Sequence, residues 1–451
     1  MLRSDGPQAG RVRSLDFSLL AATVALLIVG VLFVYSSGVA SDGTVVSNEW
    51  LKQILWGASG LGLLAIFAVT NHQRFKAYTP YVYVATLVLL LFTALIGRPV
   101  NGARSWLGIG ELGIQPSEFA KVATILVLAA YLSEIGNGIR ELPRFLLALG
   151  LVAAPVVLIA LQPDLGTALV YAPIFLTMTL VAGARPRHLM FVVTVGLLTV
   201  FLGVLPAVQQ QILGHEPGLW RLLTDPSISR YTLLVLAGMV ALSGLGFRVF
   251  GRRYYYWMIY GGSVLLLAAA GGMGIASRLQ DYQIMRLVIF IDPWIDPRGA
   301  GWNIIQSVTA VGAGGFSGAG FLEGTQSHLR YLPQQSTDFI FSIIGEEWGF
   351  LGGIFVLLLF AALIGRGVVI FYSARDDFAT FVGAGIVAMF FFHAFVNMGM
   401  AMGIMPITGI PLPFLSYGGS SLWTGMIGVG LLANIGLARA RGRTGGGAQL
   451  R

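Results

Sequence analysis

Long apolar runs separated by short polar segments make up most of the chain. Twelve of these runs are about 17 to 25 residues long, the length that crosses the hydrocarbon of a bilayer as a helix. They begin near Phe17, Leu51, Tyr78, Ser117, Phe145, Thr167, His188, Tyr231, Tyr256, Phe339, Phe378 and Ser421. The pattern predicts an all-α polytopic membrane protein of about twelve transmembrane helices. Threaded in and out from a cytoplasmic start, its inner loops collect Arg74 and Lys76, Arg140 and Arg144, Arg185 and Arg187, Arg248 with Arg252 and Arg253, and Arg366 and Arg375. The tail adds Arg439, Arg441 and Arg443. Basic loops mark the cytoplasmic side, so both termini are expected inside. Most acids fall outside, among them Asp42, Glu49, Glu111, Glu216, Asp225, Asp281, Asp292, Asp296, Glu323 and Asp338.

The segments that break the apolar pattern carry the candidate chemistry. In YLPQQSTDFIFSIIGEEWGFLG, residues 331–352, a polar stretch passes through one carboxylate, Asp338, into a span expected from Phe339 to Leu363. That places Asp338 at the boundary between water and lipid. Thr337 and Asp338 are also residue types that cap helices, and both uses stay open. The stretch 278–338 is read as a long extracytoplasmic catalytic loop, because loops of that length without strong structure of their own are usually functional. Within it, Asp292-Pro293 and Asp296-Pro297 mark turns, and IIQSVTAVGAGGFSGAGF is expected to be re-entrant or interfacial.

Three further interruptions matter. In RPVNGARSWLGIGELGIQPSEFAK, residues 98–121, Trp106 offers a ring at headgroup level, where a plain anchoring role is an equal alternative. Lys121 lies inside the following span, so desolvation makes a functional or paired role the default; Glu118, three residues earlier, is the nearest partner. LQPDLGT, residues 161–167, breaks two short apolar pieces. Irregular backbone at membrane depth lines cavities, so Asp164 is a cavity candidate, with a helix N-cap as the alternative. NMGMAMGIMPITGIPLPFLSYGGSS, residues 397–421, is broken by Pro and Gly, and Gly418 and Gly419 suit close helix packing.

Composition narrows the class. With 56% hydrophobic and 11% charged residues in 451, and a mean hydropathy of +0.79, the apolar surplus exceeds what a soluble core of this size hides. The absence of cysteine excludes disulfides and thiolate metal sites. The net charge of +8 is spread as arginines between apolar runs, which fits topology signals rather than a nucleic-acid patch. The polar lead MLRSDGPQAGRVRSLD has no small-residue cleavage site and is expected to be a retained cytoplasmic tail. The five histidines are dispersed and give no metal motif; His393, alone in an apolar helix, reads as a packing residue. No GxxxxGK[ST] loop occurs, so direct ATP use is not expected. GAGGFSGAG matches a dinucleotide loop only as a string, since no strand is expected before it.

NGARSW, QPSEFAK, QPDLGT and TDFIFSIIGEEWG follow one another and lead to a closing pattern of Asn397, Gly403, Pro406, Gly409, Pro411 and SYGGSS from Ser416 to Ser421. In these blocks the chain resembles the SEDS family of cell-wall polymerases, the RodA, FtsW and SpoVE group, over nearly its whole length apart from about 208 to 277. GAGWNIIQS and GTQSHL are more similar to the elongation (RodA) branch than to the division branch. The resemblance implies one integral membrane domain over 1–451 with a core of about ten spans. Residues 208–277, with the basic turn GFRVFGRRYYYW, are then an inserted helical hairpin. The family commonly has Glu and His before TDF, where this chain has Gln334 and Ser336, so a mechanism with a second carboxylate there loses support.

The resemblance further implies a peptidoglycan glycosyltransferase in the cell inner (plasma) membrane. It would polymerise lipid II, a disaccharide-pentapeptide on undecaprenyl pyrophosphate, into β-1,4 glycan on the extracytoplasmic side, for elongation and cell shape. Such chemistry needs a base for the acceptor hydroxyl, and Asp338 is the best-placed carboxylate. It needs positive charge against the departing pyrophosphate, for which Arg104, Lys121, Arg286, Arg298 and Arg330 are candidates. A divalent cation, magnesium or manganese, is a candidate cofactor without a readable ligand set. Trp106, Asp164, Gln326 in GTQSHL, and Ser416 and Gly418 in SYGGSS complete the substrate-binding candidates. Direct attack on an α-linked donor inverts and requires one base, whereas retention requires a nucleophile; inversion is expected. A class B penicillin-binding protein is the expected partner, since no domain-sized polar region here carries an SxxK-type nucleophile. Elongation machinery and membrane lipids are the other expected partners, and nucleic acid is not. Two other classes stay open: a lipid II flippase or transporter, and a non-catalytic scaffold for a transpeptidase.

Overall fold

The computed structural model describes residues 16–70, 72–100, 103–109, 112–208, 226–277, 281–329 and 331–445. Among these residues, eleven helices are long and apolar enough to cross a membrane. The chain divides into two compact units, Met1–Ala184 with Gln306–Arg451, and Arg185–Ile305.

The first unit contains α1 (Phe17–Ser37), α2 (Glu49–Val69), α3 (His72–Ile96), a small sheet, α4 (Pro116–Ile135), α5 (Leu142–Ala160), α6 (Leu165–Leu169) and α7 (Tyr171–Val181). It resumes after the second unit with α13 (Thr325–His328), α14 (Ile340–Glu347), α15 (Gly349–Tyr372), α16 (Asp377–Ala401) and α17 (Gly419–Gly445). The most apolar windows of α16 and α17 are each 78% buried, against 22% for α3, so the closing two helices form the centre of this unit. The starts of α1 and α16 carry side-chain caps. The Asp16 side chain accepts the N–H of Leu19 and pairs with Arg366 of α15, and Asp376 accepts the N–H of Ala379 at the start of α16.

Two expected spans differ from the sequence reading. The run from Phe339 does not cross as one helix: α14 ends at Glu347, and the span itself is α15, from Gly349. Both glutamates at the end of α14 are 1% exposed, and Gly349 at φ +63° reorients the chain after them. Asp338 therefore precedes a short, wholly buried helix rather than a lipid-crossing one. The run from Thr167 is two short pieces, α6 and α7, joined at Val170. The described residues between 98 and 114 form a three-stranded antiparallel sheet, β1 (Arg98–Val100), β2 (Ala103–Ile109) and β3 (Leu112–Ile114). Leu107 pairs with Ile114 in it, and Arg98 with Trp106.

The second unit holds α8 (Pro186–Val208), α9 (Pro226–Phe250), α10 (Arg253–Ala276), α11 (Asp281–Ile291) and the start of α12 (Trp302–Ala313). α8 and α10 meet through small residues, Gly203 against Ile275 and Gly271 against Thr199, the close approach that drives helix association where lipid competes for apolar contact. Only 6% of the α8 window and 11% of the α9 window are buried, which leaves apolar faces suited to lipid.

Candidate functional site

Four sequence blocks far apart in the chain interlock in the first unit. The N–H of Gln115, just before α4, donates to Ser420 Oγ (3.0 Å), and its side-chain amide donates to Asp164 Oδ2 (3.0 Å). Asp164 caps α6 by accepting from the Thr167 N–H (3.2 Å) and hydroxyl (2.9 Å). A side chain at Gly166 would collide with the Thr408 carbonyl, so the QPDLGT turn lies directly on the segment 403–418. That segment is gripped from α2 by Gln53, which is fully buried: its amide donates to the Ser416 carbonyl (3.1 Å) and accepts the Gly418 N–H (3.4 Å). Ser416 is itself buried and accepts the Leu412 N–H at its hydroxyl (2.8 Å).

Asp338 joins this assembly through its backbone. The Asn397 side chain on α16 donates to the carbonyls of both Asp338 (2.9 Å) and Ile410 (2.8 Å). The Tyr417 N–H donates to the Ser336 carbonyl (2.8 Å). Gln334 stands in the left-handed region at φ +54°, and its carbonyl takes the N–H groups of Thr337 and Asp338, local strain of the kind that accumulates at functional sites. The N-cap of α14 is Phe339, one residue further on. The half-buried Asp338 carboxylate faces Gly409, where a Cβ would stand 3.6 Å from Oδ2. Gly409 also has φ +68°, so both backbone and space favour its lack of a side chain.

The same segment reaches a buried cation. Lys121, 1% exposed, lies 2.8 Å from Glu118 Oε1 and 3.1 Å from His393 Nε2. His393 Nδ1 lies 3.0 Å from the Pro411 carbonyl. A carbonyl only accepts, so Nδ1 carries the hydrogen and Nε2 presents its lone pair to the ammonium. Glu118, Lys121, His393, Pro411 and Pro413 line a small cleft. The pairing of His393, like that of Gln53, is not legible in the sequence: its apolar helix hides a partner on α4, 272 positions away.

The approach to Asp338 is fastened by the two buried acids of α14. Glu346 accepts from the N–H groups of Gln326 (2.6 Å) and Ser327 (3.1 Å) and from the Thr325 hydroxyl (3.3 Å). Glu347 accepts from the Leu322 N–H (3.2 Å) and from Ser36 of α1. Gly318, at φ +83°, packs on the Glu347 carbonyl, so GAGGFSGAG wraps the end of α14 and is no dinucleotide loop. His328 Nδ1 donates to the Val39 carbonyl (2.8 Å), which leaves Nε2 3.6 Å from Glu347 Oε1. Burial, the largest influence, pushes the Glu347 carboxyl above its usual range, against the hydrogen bonds from Ser36 and Leu322 and the nearby His328. A raised folded pKa favours the fold fully below the ordinary carboxylate range, and that contribution fades as pH rises through the raised value. Melting temperature is therefore expected to fall in the native chain as pH rises above the ordinary carboxylate range, and to fall less in Glu347→Gln. Parallel slopes would show that Glu347 is ionised throughout. Glu347→Ala, which leaves buried donors unpaired, is expected to cost about 1–3 kcal/mol.

The remaining candidates are distributed as follows. Trp106 is half-buried on β2 with its ring over Gly113 (2.9 Å from a Cβ there). Arg104 is exposed on the same strand, with its N–H on the Gln162 carbonyl (3.1 Å). Gln326 is held through its backbone by Glu346. Arg286, stacked on Tyr282 (5.4 Å), and Arg298 belong to the second unit. Arg330 lies outside the described residues. Among the described residues, no three His, Asp or Glu side chains form a group that could hold a metal ion.

Comparison with known proteins adds the chemistry. The family model described as "Cell cycle protein", covering FtsW, RodA and SpoVE, matches residues 17–214 and 218–440; the second stretch runs through α9 and α10, the helices that the sequence set apart as an insertion. The chain is 47% identical over 424 residues to the peptidoglycan glycosyltransferase RodA of Treponema pallidum (strain Nichols), covering 94% of this chain and 98% of that one. It is 32% identical over 421 residues to the peptidoglycan glycosyltransferase MrdB of Escherichia coli (strain K12), covering 93% of each. A solved structure described as "Structural coordination of polymerization and crosslinking by a peptidoglycan synthase complex" matches with a TM-score of 0.64 and 27% identity, over 94% of this chain and 98% of that one.

Proposed function

Because the chain belongs to the FtsW, RodA and SpoVE family, we propose that it polymerises lipid II with Asp338 as the general base. It is a multi-pass membrane protein and a peptidoglycan glycosyltransferase. In the proposed step the Asp338 carboxylate accepts the proton of the acceptor sugar hydroxyl. The freed oxygen attacks the anomeric carbon of the donor, and the bond to undecaprenyl pyrophosphate breaks with inversion. Lys121 supplies fixed positive charge to the leaving group, while Trp106 and Arg104 on the sheet contribute to donor binding. Asp164, Ser416 and Gly418 act by shaping the segment that carries Gly409. The observation that carries this reading is a single segment, 403–418, that presents Gly409 to the Asp338 carboxylate and Pro411 to the His393–Lys121 pair.

The reaction is assigned to the outer face of the cell inner membrane, with both termini cytoplasmic and α9–α10 as an addition to a ten-span core. A class B penicillin-binding protein is the proposed partner, in line with the likeness to a solved peptidoglycan synthase complex that coordinates polymerization and crosslinking. Purified protein given fluorescent lipid II is expected to yield glycan ladders, and addition of the partner to raise the rate. Movement of lipid II across vesicles without polymer would instead identify a flippase, and activity only in the partner would identify a scaffold.

A further inference from the structure

The second unit carries a basic and aromatic rim for which the polymerisation chemistry has no use. α8 and α10 run parallel: near their starts Tyr260 Oη donates to the Arg187 carbonyl (3.2 Å) and the rings of Phe191 and Tyr260 are 5.3 Å apart, and near their ends Gly203 meets Ile275. α9 runs back along α10, with Gly246 under the Tyr255 ring and Gly262 against Val240. The starts of α8 and α10 and the end of α9 therefore share one end of the unit. Five exposed arginines stand there: Arg185, Arg187, Arg248, Arg252 and Arg253. Among the described residues none of them has a carboxylate partner. The described acids of this unit, Asp281, Asp292 and Asp296, all follow the opposite end of α10.

Uncompensated like charges repel one another and attract an anion. Guanidinium forks match phosphate oxygens two at a time. Interleaved with them are the rings of Phe250, Tyr254 and Trp257, 64%, 55% and 56% exposed, and the Arg187 guanidinium lies 5.9 Å over Tyr256. Tyr and Trp rings settle at the headgroup level of a bilayer. A topology signal requires charge alone, whereas this rim adds amphipathic rings that continue into the little-buried helix α9. The occupant must accordingly be anionic at one end and apolar at the other, which nucleic acid is not.

We propose that this rim is a binding site for anionic phospholipid, the headgroup phosphodiester held among Arg187, Arg248, Arg252 and Arg253 and the acyl side against Tyr254 and Trp257. The site is a property of the second unit and holds whether or not the first unit polymerises lipid II. The full chain is placed in phosphatidylcholine bilayers with and without phosphatidylglycerol, and retained lipid is read by native mass spectrometry beside the melting temperature. The native chain is expected to retain phosphatidylglycerol and to melt higher in its presence. The four-fold variant Arg187→Gln, Arg248→Gln, Arg252→Gln, Arg253→Gln is expected to lose retention by about 600-fold, since each basic residue near an anionic surface adds about fivefold and the four factors multiply. The pair Tyr254→Ala, Trp257→Ala keeps every charge and is also expected to weaken retention. Undiminished retention in both variants, or retention abolished as readily by a charge-matched DNA oligonucleotide, would overturn the proposal.

Discussion

Exchange of Asp338 for Asn is expected to lower glycan polymerisation by about 10²- to 10⁴-fold, the range associated with loss of a positioned base, with yield and melting temperature close to those of the native chain. The amide keeps the size of the carboxylate and loses its capacity to take a proton. Its backbone restraints survive the exchange, because the Asn397 bond is made to the residue 338 carbonyl and the bond to Gln334 is made by its N–H. Helix α14 is also insulated, since its N-cap is Phe339 and not Asp338. A purely structural carboxylate would show the reverse outcome, a lowered melting temperature with glycan ladders still formed. Near-normal ladders from fluorescent lipid II would end the assignment of Asp338 as base.

The sequence disclosed the spans because hydrophobic length is a local property that survives without knowledge of partners. It disclosed the candidate blocks because Pro, Gly and isolated charges interrupt that pattern at 98–121, 161–167, 331–338 and 397–421, and those four stretches are brought into contact with one another. What stayed hidden is pairing across long separations. Gln53 reads as an ordinary residue of a span until it meets Ser416 and Gly418, and His393 reads as packing until it meets Lys121. The division of the run from Phe339 was masked for a different reason. Glu346 and Glu347 sit between apolar stretches, and only the loop that folds back onto them supplies the N–H groups that let two carboxylates be buried there. The strands at 98–114 were concealed by their length, three residues in two of the three cases, too short for an alternating pattern to register.

Lys121→Met is expected to reduce polymerisation by about 10²- to 10³-fold, the scale on which preorganised charge acts on a developing anion, and Lys121→Arg is expected to retain more activity than Lys121→Met. The ammonium spends one N–H on Glu118 and one on His393 Nε2, which leaves a third donor for a pyrophosphate oxygen. Loss of the charge also strands Glu118, 3% exposed, and breaking a buried pair from one side costs about 3–5 kcal/mol. Stability must therefore be separated from chemistry. The double variant Glu118→Gln, Lys121→Met removes both charges and is expected to recover most of the melting temperature without recovering activity. His393→Gln gives an independent view, because a Gln amide donates to the Pro411 carbonyl and accepts from Lys121 as the imidazole does. It is expected to keep more activity than His393→Phe, with the deficit of His393→Phe appearing mainly in kcat for lipid II. If Lys121→Met and Lys121→Arg are equally active, or if the double variant polymerises normally, the cation is a packing element of α4 and the pyrophosphate must be met by other groups.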